Sequence, residues 1–129
     1  MSLAQRILVV EDEDILAQNV KTFLGRRFSD VRIAANGRCA RTIIASFTPD
    51  VLVLDYELPG ETGLQIYTDI VRHRTDPIGC VMITGHPLGK ITQPANELGI
   101  HYFLGKPFSL VELQRLVDRS AEELPRNSH

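Results

Sequence analysis

The clearest pattern along the chain is a set of short apolar runs, each of which ends at polar or charged residues. Runs of this length, bounded by turn residues, are typical of parallel strands that are buried on both faces. The run "VLVLD" is the most uniform, with four aliphatic residues leading directly to Asp55. The pattern predicts five strands: Ile7–Val10, Asp30–Ala35, Val51–Asp55, Ile78–Thr84 and His101–Gly105.

Between these runs, apolar residues recur every three or four positions, which is the spacing of one helix face. Thr62 with Gln65, and Ser109 with Glu112, have the spacing of a capping box, in which two side chains satisfy free amides at a helix start. The buried stripes of the four clearest helices are Leu16, Val20, Phe23 and Leu24; Ala40, Ile43, Ile44 and Phe47, within a helix predicted over Arg38–Phe47; Leu64, Tyr67, Ile70 and Val71; and Leu110, Leu113, Leu116 and Val117.

The segment between the fourth and fifth strands is the least regular part of the chain. Pro87, Gly89 and Pro94 all work against a long helix there. Proline is tolerated in the first turn of a helix, where its missing N–H has no partner in any case. We therefore expect a short fourth helix that begins near Pro94.

Alternation of strands and helices defines the fold class. Five strands that alternate with five helices predict an α/β fold with a parallel sheet covered on both faces. A chain of 129 residues is long enough to bury roughly two thirds of the surface that it exposes when unfolded. We expect a single domain over residues 1–129, with its core at about 6–122 and residues 125–129 as a tail or the start of a linker.

Composition excludes several function classes. The net charge of −2 and the pI near 6.1 provide no broad basic surface, so we do not expect this domain to bind nucleic acid directly. No apolar run approaches the roughly 20 residues that span a bilayer, so we expect no membrane contact and a cytoplasmic protein. Cys39 and Cys80 do not indicate a disulfide.

Polar groups follow four of the five predicted strands. Glu11 and Asp12 follow the first, Asp55 ends the third, Thr84 ends the fourth and Lys106 follows the fifth. Because the carboxyl ends of parallel strands meet at one edge of a sheet, these groups should converge. Clustered carboxylates repel one another unless a cation lies among them, and oxygen ligands suit Mg²⁺. The expected ligands are Asp12 and Asp55, with the backbone carbonyl of Glu57 as a third and Glu11 acting through water.

A metal ion, an ammonium and a hydroxyl at one edge form a set suited to a phosphoryl group. The cations neutralise its oxygens and the hydroxyl donates a hydrogen bond. Asp55 is the natural nucleophile, since a carboxylate forms an aspartyl phosphate with little help beyond positioning. The residues therefore predict a reversible covalent modification of Asp55.

The order of these motifs resembles the receiver domain of two-component response regulators. The fold that this resemblance implies is flavodoxin-like, with strand order 2-1-3-4-5 and helices on both faces. It implies that Asp55 is the phosphoacceptor, Glu11 and Asp12 the magnesium-binding acids, and Lys106 the phosphate-contacting lysine. The residues that carry the resemblance lie in "VVEDED" (Glu11, Asp12), "VLVLDYELPGETG" (Asp55, Leu58, Pro59, Gly60, Gly63), "ITG" (Thr84) and "FLGKPF" (Phe103, Lys106, Pro107).

The resemblance also implies a switch and a set of partners. A sensor histidine kinase or a histidine phosphotransfer protein would supply the phosphoryl group, and the domain would modify itself rather than act as a turnover enzyme. Thr84 would be the switch hydroxyl, Phe103 the switch aromatic, and Lys106-Pro107 a cis peptide. The surface formed by the fourth helix, fifth strand and fifth helix would then contact an output domain or a second copy of the chain.

Four residues, at three places in the pattern, depart from the usual receiver sequence, and two other functions remain open. Phe103 stands where tyrosine is common, Pro94 falls within the usual fourth helix, and Glu57 and His86 lie where the family tunes loss of the phosphoryl group. One alternative is a haloacid-dehalogenase-like phosphatase whose nucleophile would be Asp12. The other is a receiver-like interaction module that is never phosphorylated.

Overall fold

The computed structural model describes residues 6–125, so the predicted tail beyond Pro125 lies outside the described residues. Within these residues, five strands form the main sheet, and two further strands form a separate hairpin. The strands are β1 Arg6–Val10, β2 Asp30–Ala34, β3 Val51–Asp55, β4 Glu57–Leu58, β5 Glu61–Thr62, β6 Gly79–Thr84 and β7 Tyr102–Gly105. The helices are α1 Asp14–Leu24, α2 Gly37–Ile44, α3 Gly63–Arg72, α4 Thr92–Glu97 and α5 Leu110–Glu122, with a short 3₁₀ helix at Leu88–Lys90.

The main sheet has the order β2-β1-β3-β6-β7, and every neighbouring pair is parallel. Counted over these five strands alone, the order is 2-1-3-4-5, which confirms the predicted flavodoxin-like topology. The central strands β1 and β3 are paired from Ile7 opposite Val51 to Val10 opposite Leu54. This register brings the residues that follow β1 next to the end of β3.

The core consists of two apolar layers, one on each face of the sheet. Successive side chains of a strand point to opposite faces, so Leu52 and Leu54 belong to one layer while Val51 and Val53 belong to the other. Helices cover both faces, as predicted. The first layer includes Ala40, Ile66, Ile70 and Ala95 from α2, α3 and α4, and the second includes Val20, Leu24, Leu113 and Val117 from α1 and α5.

Both predicted caps are present at helix starts, one of them complete. The Thr62 Oγ1 accepts a hydrogen bond from the Gln65 amide at 3.2 Å, and the Thr62 amide donates to the Gln65 side chain at 2.7 Å. At the start of α5, Ser109 Oγ accepts from the Glu112 amide at 3.1 Å. These bonds satisfy amides that have no partner within the helix.

The predicted end of α2 at Phe47 is wrong, because the helix ends at Ile44. The amides of Ser46 and Phe47 both donate to the Ile43 carbonyl, at 3.1 and 2.8 Å, which closes the helix in a tight turn. Phe47 is nevertheless buried, as its place in the apolar pattern predicted. The pattern therefore identified the buried residue but not the backbone that carries it.

The segment before β7 contains the predicted short helix. The helix α4 begins at Thr92, two residues before Pro94, so that the proline lies in its first turn. The hairpin of β4 and β5 was not predicted; it turns through Pro59 and Gly60, and Gly60 has a positive φ of 81°. Within residues 6–125, no helix has the length and apolarity needed to cross a membrane.

Candidate functional site

Three carboxylates converge at the carboxyl edge of the sheet. Glu11 and Asp12 directly follow β1 and Asp55 ends β3, and one oxygen from each lies within 4.8 Å of the others. Glu11 and Asp55 are buried, whereas Asp12 is exposed. The structure therefore brings together the acids that the sequence placed at two different strand ends. We refer to these three residues with Lys106 as the acid pocket.

Lys106 supplies the positive charge of the acid pocket. Its Nζ lies 2.8 Å from Asp55 Oδ2, 3.0 Å from Glu11 Oε1 and 3.4 Å from Glu13 Oε2. The residue follows β7, and its amide donates to the Thr84 carbonyl at 2.8 Å. The peptide that joins Lys106 to Pro107 is cis. The ammonium thus bridges the ends of β1 and β3 from the far edge strand.

Burial and neighbouring charges shift the pKa values of Glu11 and Lys106. Loss of solvent around Glu11 raises its pKa to about 7, although the Glu13 amide and the Lys106 ammonium act in the opposite direction. The negative charge of Asp55 adds to the increase. For Lys106, burial favours a lower pKa, but the contacts with Asp55 and Glu11 outweigh burial and raise its pKa above the ordinary value. Lys106 therefore stays charged throughout the neutral range.

The backbone around Asp55 fixes the direction of its carboxylate. The Glu57 amide donates to Asp55 Oδ1 at 3.0 Å, and the Tyr56 amide donates to the Ile83 carbonyl at 2.7 Å. Helix α3 begins against this strand end, at Gly63. A Cβ at Gly63 would lie 2.6 Å from the Asp55 carbonyl oxygen, closer than real Cβ atoms come to such an atom. This position therefore has room only for glycine unless the backbone moves.

Thr84 lies at the end of β6, beside the acid pocket, and is completely buried. Its hydroxyl donates to Glu57 Oε2 at 2.5 Å and accepts from the His86 amide at 3.0 Å. A buried hydroxyl needs such partners, because leaving one unsatisfied costs free energy. The switch candidate is therefore bound to the side chain of Glu57, a contact that the sequence analysis did not predict.

The Glu57 carboxylate accepts hydrogen bonds from three donors, one at the end of β6 and two in the loop that follows. Besides Thr84, the Gly85 amide donates at 3.0 Å, and His86 Nδ1 lies at 2.7 Å. Burial favours a higher pKa for Glu57, but these three hydrogen bonds and the His86 charge together lower the pKa below its ordinary value. The signal was present in the sequence: an acid two residues after Asp55 and a histidine two after Thr84, on adjacent strands.

Phe103, the other switch candidate, is half-buried on β7. It lies opposite Met82 in the register between β6 and β7 and packs against the apolar layer that contains Ile91 and Ala95. Its ring therefore belongs to the same face as the 3₁₀ and α4 region.

The donor set of the acid pocket fits Mg²⁺. All side-chain donors are carboxylate oxygens, which is the ligand type that this hard cation prefers. Within residues 6–125, the buried Glu11 Oε1 has no partner in hydrogen-bond geometry, although it is paired with the Lys106 charge. A buried carboxylate oxygen in that state has capacity for a cation or for a water that a cation holds. Glu11, Asp12 and Asp55 are the residues that could hold the ion.

A second charged cluster joins α2, β5 and α3. Arg41 Nε lies 2.5 Å from Asp69 Oδ2, and its two terminal nitrogens contact both Glu61 oxygens at 2.8 and 3.1 Å. We refer to these three residues as the arginine clamp. A groove of about 610 Å³ between α2 and α3 lies beside the clamp rather than at the acid pocket. The sequence analysis did not predict this cluster.

Comparison with known proteins identifies the family to which the chain belongs. The family model described as the response regulator receiver domain matches residues 7–118. The regulatory protein AtoC of Escherichia coli (strain K12) is 28% identical over 123 residues, which is 95% of this chain and 26% of that protein. The chain therefore spans about a quarter of the length of this curated relative.

Solved structures show the same fold. The receiver domain of NtrX from Brucella abortus is 28% identical, with a TM-score of 0.81 over 91% of this chain and 98% of that one. A CheY-like response regulator receiver domain protein from Methanospirillum hungatei JF-1 is 21% identical, with a TM-score of 0.83 over 92% and 94% of the two chains. At the lower identity, the likeness concerns the fold alone.

Proposed function

Because the chain belongs to the response regulator receiver domain family, we propose that it accepts a phosphoryl group on Asp55 and uses the modification as a signal. The observation that carries the proposal is the position of the buried Asp55 carboxylate between Lys106 and two further acids. Residues 1–129 act in this proposal as a single receiver domain. The proposed donor is the phosphohistidine of a sensor histidine kinase or of a phosphotransfer protein.

The proposed reaction is a transfer between two side chains. An oxygen of Asp55 attacks phosphorus, a new O–P bond forms, and the N–P bond to the donor imidazole breaks, so that the imidazole leaves with the electron pair. The Lys106 ammonium, 2.8 Å from Asp55 Oδ2, is placed to bind a phosphoryl oxygen. Mg²⁺ held by Asp12, Asp55, the Glu57 carbonyl and, through water, Glu11 would neutralise charge on the transferred group.

The proposed response begins at Thr84. The new phosphoryl oxygens attract its hydroxyl, and the movement leaves space for Phe103 to turn inward. Both residues lie on β6 and β7, next to α4 and α5. The α4–β7–α5 surface would then present a different face to an output domain or to a second copy of the chain. The domain itself is changed in this process and does not turn over a substrate.

The two alternative functions have less support. For a phosphatase of the haloacid-dehalogenase type, Asp12 would be the nucleophile, but the Lys106 ammonium contacts Asp55 and Glu11. Asp12 is also exposed. An unphosphorylated interaction module would have no use for a buried cation and two buried acids, which are costly to remove from water.

Intact-mass spectrometry after incubation with Mg²⁺ and a small acyl phosphate tests the proposal. The wild type should gain one phosphoryl group, and Asp55→Ala should gain none. Asp69→Ala is the matched control, since it removes an acid of the arginine clamp, and it should gain the group as the wild type does. A gain in Asp55→Ala, or a phosphoryl group located on Asp12, would reject the assignment.

A further inference from the structure

The Glu57 side chain occupies a position between the phosphoacceptor and the switch hydroxyl. Its backbone amide binds Asp55 Oδ1, while its carboxylate binds the Thr84 hydroxyl. The same carboxylate holds the next two residues of the loop, through the Gly85 amide and His86 Nδ1. Glu57 therefore contacts the phosphoacceptor through its backbone amide and the switch hydroxyl through its side chain.

The hydroxyl of Thr84 has one proton to donate. In this structure that proton belongs to the bond with Glu57 Oε2, at 2.5 Å. A phosphoryl group on Asp55 would need the same proton for the hydrogen bond that switches the domain. The two acceptors are therefore mutually exclusive partners of one donor.

We propose that the Glu57 carboxylate is a latch: it competes with the phosphoryl group for the Thr84 hydroxyl and so holds the unmodified receiver in its inactive state. This inference rests on the proposed function, because the competitor is the group on Asp55. Glu57 acts through Thr84 and is therefore a positioning residue. Glu57 favours the unmodified state, whereas Lys106 favours the phosphorylated state.

The burial of the two partners explains why the latch can open. Thr84 is completely buried and needs a hydrogen-bond partner in both states. The Glu57 side chain is 31% exposed, so water can replace the threonine while Gly85 and His86 keep their bonds. The change exchanges one charged acceptor of Thr84 for another, and such charge-assisted bonds are strong. Each state thus has a distinct set of contacts, as a two-state switch requires.

Removal of the latch should make the switched state easier to reach. Beryllofluoride, an analogue of the phosphoryl group, is titrated with Mg²⁺ while the amide resonances of Gly85 and His86 are followed by NMR. For Glu57→Ala we expect the beryllofluoride concentration at the midpoint to fall about fivefold, as the net loss of one ordinary hydrogen bond implies. Glu57→Gln should give a smaller decrease, since its amide oxygen still accepts but carries no charge. Both variants retain the backbone carbonyl.

A change of charge near the acid pocket could also alter anion binding, so two controls separate the causes. Glu61 lies in the same hairpin as Glu57 but contacts Arg41 rather than Thr84. The midpoint for Glu61→Ala should therefore stay near that of the wild type. Thr84→Val removes the hydroxyl while preserving volume. In the Thr84→Val background Glu57 has no hydroxyl to bind, so Glu57→Ala should no longer shift the midpoint.

The outcomes separate the latch from the proposed function. A fivefold decrease that disappears in the Thr84→Val background supports the latch. No decrease, or an equal decrease in both backgrounds, overturns it. If the wild type does not bind beryllofluoride, the proposed function fails, and the latch fails with it because Glu57 then has no competitor for the Thr84 hydroxyl. Binding by the wild type without a decrease in Glu57→Ala overturns the latch alone.

Discussion

The acid pocket and the arginine clamp share one arrangement of charges in different surroundings. Each places a cation between two close carboxylates, Glu11 and Asp55 in the acid pocket and Glu61 and Asp69 in the clamp, and the acid pocket has the exposed Asp12 besides. In the acid pocket, the Lys106 side chain is 19% exposed and its partners Glu11 and Asp55 are 3% and 2% exposed. In the clamp, Arg41 is 38% exposed, and Glu61 and Asp69 are 25% and 36% exposed.

The difference in exposure determines how much each cluster of charges contributes to the stability of the fold. An exposed ion pair is worth between about 0 and 1 kcal/mol, because water and salt screen it and ordering the side chains costs entropy. A buried pair gains more from its contact but loses several kcal/mol in leaving water, so its net value can be zero or negative. The clamp is a minor structural contact. The acid pocket is better explained by the reaction proposed for it.

Removal of each cation should give the largest contrast between the two clusters. Lys106→Met leaves two buried carboxylates without a counter-charge, and we expect the free energy of unfolding to fall by about 3 kcal/mol. Proton uptake by Glu11, whose pKa is already raised to about 7, keeps the loss from being larger. Arg41→Met should cost less than about 1 kcal/mol. Urea unfolding without Mg²⁺ measures both values, and equal losses would contradict the comparison.

Two glycines test how rigid the surroundings of the clusters are. Gly63→Ala forces a methyl group against the Asp55 carbonyl, which is backbone and cannot turn aside, so we expect a loss of about 2 kcal/mol. Gly37→Ala meets only the tips of the Glu61 and Arg41 side chains, which can move. Its cost should stay within about 0.5 kcal/mol, since alanine favours the helix. Thermal unfolding of the two variants checks the order, and a larger loss for Gly37→Ala would reverse it.

Metal binding should stabilise the acid pocket alone. Mg²⁺ at ten times its dissociation constant should raise the free energy of unfolding by about 1.4 kcal/mol, through mass action on the folded state. Chelation with EDTA should reverse the gain. Arg41→Met should retain it, whereas Asp12→Asn should lose most of it at the same Mg²⁺ concentration. An undiminished gain in Asp12→Asn would place the cation elsewhere.

The smallest expected effect is the pH dependence of the clamp. The hydrogen bond from Arg41 lowers the pKa of Glu61 below its ordinary value of 4.5. A lowered pKa in the folded state means that the unfolded chain binds protons first as pH falls. Glu61 therefore contributes stability above pH 4.5, about 0.5 kcal/mol for a pair this exposed, and that contribution is lost as pH falls through the lowered pKa.

A pH series of urea unfolding for the wild type and Glu61→Gln measures this contribution as the difference between the two proteins. The difference should be largest near neutrality and vanish in acid. In an Arg41→Met background it should be absent at every pH. A difference that grows as pH falls would have the wrong sign for the contact described.

Strand ends could be predicted from the sequence because they depend on local patterns, whereas the strand order was what the family resemblance implied. The apolar run before Asp55 and the polar residues after it mark one strand end without reference to the rest of the chain. Topological rules for alternating strands and helices then bring Asp12, Thr84 and Lys106 to the same edge. The short α4 and the Thr62 cap were predicted for the same reason, since proline and threonine act on their own backbone.

Side-chain direction was beyond such patterns. The carboxylate of Glu57 turns toward Thr84, 27 residues away, because a hairpin bends the chain after β3. Arg41 likewise contacts Glu61 and Asp69, 20 and 28 residues away. Periodicity describes which face of an element is buried, but it carries no information about which of two nearby charged groups a long side chain selects.

The position of β7 at the edge of the sheet has a consequence for how the protein is made. β7 pairs only with β6 within residues 6–125, and the lysine that it delivers lies 51 positions after Asp55. The ribosome therefore adds Glu11 and Asp55 to the chain well before Lys106 leaves the exit tunnel. A nascent chain that stops short of β7 holds two carboxylates with no ammonium between them. The charge balance of the acid pocket is therefore completed by one of the last elements of the described chain to be synthesised.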